Sequence, residues 1–212
     1  MLTLTNNEIG GLIRGEELTR FPPVRRPTSE LESFYASLLK EITHLAGCAE
    51  KTEWHHYGSG YASFVDAWFY FPDGRARAAL ISGLGNPNGI AISHNELYVA
   101  NWRTGTLARE EHHGIYVLLS RLSCFYVIGQ GGKTWSRNGG SSYMPELKSV
   151  DSVKHAALLP LEHQIDASLS ASGLKRLHRA ELAPTIDAEH KVPTIFSDAP
   201  FTQFDALFFW ED

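Results

Sequence analysis

The sequence predicts an α+β fold: a mainly antiparallel sheet from about Thr52 to Trp135, covered by an N-terminal helix over 28–47 and by C-terminal helices. Three observations lead there. Strand-like runs follow one another after residue 52 with short, turn-rich connections, which is the order of a meander rather than of βαβ units. Residues 28–47 carry an apolar side chain at every third or fourth position, the mark of a helix with one buried stripe. Helical spacing returns after residue 153. With 212 residues, 43% of them hydrophobic, the chain is long enough for a sizeable core, and one domain over 1–212 is expected.

Residues 1–27 end in RFPPVRRP, where Pro22, Pro23 and Pro27 favour an extended arm. Ser29 and Glu32 have the spacing of a capping box at the start of the 28–47 helix. Leu31, Phe34, Tyr35, Leu38, Leu39, Ile42 and Leu45 make its apolar stripe, and Gly47 supplies a left-handed cap. A strand is expected over 52–58, followed by a turn at Gly58-Ser59-Gly60.

The stretch Tyr61–Gly83 reads as a hairpin at the centre of the sheet. Phe64, Trp68 and Tyr70 share one parity and Val65, Phe69 and Phe71 the other, so both faces of this strand carry bulk, as in a strand covered on both sides. Pro72-Asp73-Gly74 is its turn. Residues 90–102 read as a further strand with a turn available at His94-Asn95. Residues 106–122 carry two signals. Ile115, Leu118, Leu119 and Leu122 fit a helix, while Gly114, Tyr116 and Val117 favour a strand; the helix is adopted. FYVIG is a strand, Gln130–Gly140 a glycine-rich loop and 141–152 irregular. Pro160 suits the first turn of a helix through Leu161, Ile165 and Leu169, and Leu174, Leu177 and Leu182 suggest a second. The tail, TQFDALFFWED, reads as an aromatic strand.

The formal charge of −5 gives no support to a nucleic-acid partner, which calls for a basic face. No apolar run reaches the length of a membrane span, and no basic region followed by an apolar run marks a signal peptide, so a cytoplasmic protein is expected. Cys48 and Cys124 are too sparse for a disulfide framework and are read as small buried thiols. Neither cofactor nor metal is expected. GQGGKT lacks the first glycine of a phosphate-binding loop, Val127 standing in its place, and GLGNPNG has its third glycine displaced from the dinucleotide fingerprint.

Two groups of residues remain as candidates. Trp102, Arg103, Lys133, Trp135 and Arg137 combine the flat apolar area and directed donors of binding hot spots, with Glu110 and Glu111 at the rim to steer a basic protein partner. The alternative is a small hydrolase-type enzyme that would draw acid–base chemistry from His55, His56, Glu110, Glu111, His112 and His113. It would need at least two of the histidines and a carboxylate in one pocket.

The stretch 191–212, KVPTIFSDAPFTQFDALFFWED, and the run 119–135, LSRLSCFYVIGQGGKTW, resemble parts of small bacterial toxin-immunity proteins in their aromatic-rich, acidic, strand-ended texture. The resemblance covers about a third of the chain. It implies a cytosolic α+β protein that binds one cognate toxin, blocks its active site or its movement, and has no catalytic residues of its own.

Overall fold

The computed structural model describes residues 4–54, 60–71, 90–93, 96–101, 106–136 and 145–211; within 90–93, 96–101, 106–113 and 133–136 the description is of the backbone. It is α+β with a mainly antiparallel sheet. The chain opens with helix α1 (Asn6–Ile13), then α2 (Thr28–Ala46). Strands β1 (Ala49–Glu53), β2 (Tyr61–Ala62), β3 (Phe64–Tyr70), β4 (Ile90–Ser93), β5 (Glu96–Asn101), β6 (Thr106–Ser120) and β7 (Phe125–Ser136) follow. A 3-10 turn (Leu147–Ser149), helix α3 (Leu159–Ala171), strand β8 (Lys175–Arg176), the short helices α4 (Arg179–Leu182) and α5 (Gln203–Leu207), and strand β9 (Trp210–Glu211) complete the described elements.

Among the described residues seven strands form one sheet in the order β1-β3-β6-β5-β4, with β7 on β6 and β8 on β7. Every pairing in it is antiparallel except β7 with β8. Strand β6 is the axis. Its residues 115–120 pair with β3 and its residues 106–111 with β5, while β7 runs beside it from Arg109 to Leu119. Because β7 overlaps both partners, β3 and β5 lie end to end along the other edge of β6. Strands β2 and β9 form a separate small ladder.

The core sits on both faces of β3 and of the C-terminal half of β6. On one face Trp68 packs against Tyr116, its register partner, with ring centroids 5.8 Å apart. Phe64 meets Phe196 and Phe208 of the C-terminal segment on the same face. On the other face α2 and α3 pack. Tyr35 donates from its hydroxyl to the Ser120 carbonyl at 2.7 Å, and Tyr126 donates to Asp166 Oδ1 of α3 at 2.7 Å. Gly129 is required by a close approach: a Cβ there would overlap the Tyr116 ring and the Ser149 carbonyl.

Several expectations agree with this architecture: the two-sided aromatic strand at the sheet centre, the left-handed cap at Gly47 (φ 59°), and Pro160 in the first turn of α3; the turn expected at His94-Asn95 lies outside the described residues. Others are corrected. Residues 106–122 are not a helix, because Thr106–Ser120 is strand β6. Gln130–Gly140 is not wholly a loop, since Gln130–Ser136 continue β7. Residues 1–27 are not an extended arm throughout: α1 is closed by a Thr5–Glu8 capping box and buries Ile9 and Leu12. The tail is not one strand: Gln203–Leu207 is a helix and Trp210–Glu211 alone a strand. The N-cap of α2 is Pro27, without a side-chain bond, and Glu32 turns to Arg121 instead of closing a box with Ser29. Leu45 lies off the buried stripe, and of the two free thiols Cys124 is buried while Cys48 is half-buried. The return arm of the central hairpin, 75–82, and the turn at 58–59 lie outside the described residues.

Candidate protein-binding site

Strand β6 is fifteen residues long, and its described side chains, Gly114–Ser120, are buried in the core. The junction is the rung Gly114–Gly131, where a Cβ at Gly114 would overlap the Phe69 carbonyl of β3. Beyond it the ladder continues with β7 on one side of β6 and β5 on the other. Glu110 has Tyr98 of β5 and Trp135 of β7 as register partners; Glu111 has Leu97 and Thr134; His112 pairs with Lys133 and His113 with Gly132.

Residues Glu110, Glu111, Lys133 and Trp135, chosen from the sequence as partner-binding, therefore occupy consecutive rungs at one end of the sheet. Neighbouring strands stand about 4.8 Å apart, so these backbone positions form one small patch. The two-residue period of a strand puts positions 110 and 112 on one face of β6, together with their partners 135 and 133, and positions 111 and 113 on the other. The first of these faces is the one that carries Tyr116 and Trp68 further along. Trp102, Arg103 and Arg137 lie outside the described residues. Trp102 follows directly on Asn101, which pairs with Thr106, and Arg137 follows directly on Ser136, which pairs with Arg109.

For the enzyme alternative, the ladder brings Glu110, Glu111, His112 and His113 together as four successive positions divided between two faces. His55 and His56 lie outside the described residues.

A second polar cluster had no sequence signal. Arg176 of β8 reaches Glu162 Oε1 at 2.6 Å, Asp151 Oδ1 at 3.1 Å and Asp166 Oδ1 at 3.5 Å. Asp151 has a positive φ of 57°, a conformation in which Asp and Asn are enriched among non-glycine residues. Its carboxylate accepts the Arg179 N–H at 2.8 Å and lies 3.2 Å from His178 Nδ1. Burial works against the charge on Asp151, but the Arg179 and His178 bonds and the nearby Arg176 guanidinium outweigh it and hold its carboxyl below the usual carboxylate value. Tyr126 has its hydroxyl pushed well above the ordinary phenol value, chiefly by burial, with Ser170 opposing and Asp166 adding to the rise. The hydroxyl is thus a hydrogen-bond donor and not a base. The cluster ties α3, β7, β8 and α4 together; its members are far apart in sequence, so no spacing pattern could have announced it.

Cys124 has its thiol raised, mainly by burial, against the opposing charge of Lys175. That is the opposite of what a nucleophilic thiolate needs. The turn Asp187–His190 brings the ligand atoms of Asp187, Glu189 and His190 within 4.8 Å of one another. Asp187 also accepts from Asn6 Nδ2 at 2.7 Å. Both carboxylates are exposed to water, which satisfies them without an ion.

Comparison of the chain with family models, with curated proteins and with solved structures finds no match in any of the three.

Proposed function

We propose that this chain is a protein-binding protein that neutralises a cognate bacterial toxin by direct binding. The observation that carries the reading is the gathering of Glu110, Glu111, Lys133 and Trp135 on consecutive rungs at the end of the β5–β6–β7 ladder. Tryptophan, a cation and carboxylates on adjacent strands are the materials of a docking patch. Trp135 is the anchor, Lys133 with Arg103 and Arg137 supplies donors, and the carboxylates speed encounter with a basic surface. The resemblance of 119–135 and 191–212 to toxin-immunity proteins supports the same reading. A cytoplasmic location goes with this reading, and no described helix is long and apolar enough to cross a membrane.

The test is co-purification of the tagged chain from its host, paired with deletion of its gene. The expected result is one protein partner that recurs, and a host that deletion makes sensitive to that partner. Absence of any recurring partner together with unchanged toxin sensitivity would overturn the proposal.

A further inference from the structure

We draw no further inference here: the strongest candidate among the described residues, the cluster of Asp187, Glu189 and His190 at the turn beside α1, carries nothing, because it is three side chains of one turn with both carboxylates open to water and no second, independent feature points to a bound ion.

Discussion

Arg121 Nη1 donates to Glu32 Oε1 at 2.6 Å, joining the residue just after β6 to the second turn of α2. The same guanidinium donates from Nη2 to the Trp54 carbonyl at 2.6 Å, and the Arg121 backbone N–H donates to the Ser63 carbonyl at 2.8 Å. One residue thus fastens the helix, the end of β1 and the start of β3. Its side chain is only 9% exposed against 29% for Glu32, so its removal strands partners that water reaches poorly. Arg121→Met is expected to destabilise the fold by about 2–3 kcal/mol. Glu32→Gln, which keeps an acceptor, should cost about 1 kcal/mol. Urea unfolding reads both. A wild-type midpoint for Arg121→Met would show that the helix is held by apolar packing alone.

Gly129 lies under the Tyr116 ring and beside the Ser149 carbonyl, and Tyr116 shares a 2.9 Å hydrogen bond with Ser149 Oγ. Gly129→Ala therefore pushes apart a ring and a backbone that have no room to yield. A loss of about 2 kcal/mol or more is expected, within the range of overpacked sites. Thermal melting of the variant checks it, and an unchanged melting temperature would contradict the contact.

Asp151 and Glu50 give the stability two opposite dependences on pH. The folded value of Asp151 is depressed, so the unfolded chain binds that proton more readily. Its contribution is full above the ordinary value of 3.8 and is lost as pH falls through the depressed one. Asp151→Asn should flatten the acid limb of stability plotted against pH.

Glu50 is raised by burial on β1, so the folded state holds its proton more tightly. Its contribution is present below the ordinary value and lost as pH rises through the raised one. Glu50→Gln should therefore be more stable than the parent at neutral pH, with the advantage vanishing in acid. Denaturant midpoints compared at neutral and at acid pH decide this, and equal differences at both would refute it.

On the neutralisation proposal, changing Arg103 and Trp135 together to alanine is expected to weaken the proposed complex by about 2 kcal/mol or more, with the melting temperature of the free chain nearly unchanged. Calorimetric titration with the purified partner, alongside a melt of the variant alone, separates the two effects. Normal binding by the double variant would move the site elsewhere on the molecule.

How much of this was legible in the sequence depended on burial. Helix α2 was, because a helix buried along one stripe writes a 3.6-residue period, and Gly47 closes it with a positive φ. Strand β6 was not. Ile115–Leu119 are all fully buried, so both faces are apolar, the alternation disappears, and Ile115, Leu118 and Leu119 coincide with helical spacing. Of the Ser/Thr-x-x-Asp/Glu patterns near helix starts, at 5–8, 29–32 and 202–205, the box closes at Thr5 and Thr202 but not at Ser29, whose Glu32 is drawn to Arg121. The first and last of these were the signals for α1 and α5. As for the site, composition and loop position singled out Glu110, Glu111, Lys133 and Trp135, but only the β6–β7 register could bring them to adjacent rungs. Nothing local in the sequence encodes that register.

Strands β3 and β5 share one edge of β6, and between their last and first rungs, Ile115 and Glu111, residues 112–114 have described register partners on β7 alone. Selection can therefore treat the two ends of these strands as separate territories. Toward Ser120 almost any change disturbs close-packed aromatic side chains and is purged. Toward Thr106, if the chain neutralises a toxin as proposed, the positions of the docking patch would change with the partner. Lengthening β6 and β7 by two residues each would even preserve which face every later position occupies. A lineage pursued by diverging toxins would keep one half of this sheet fixed and rewrite the other.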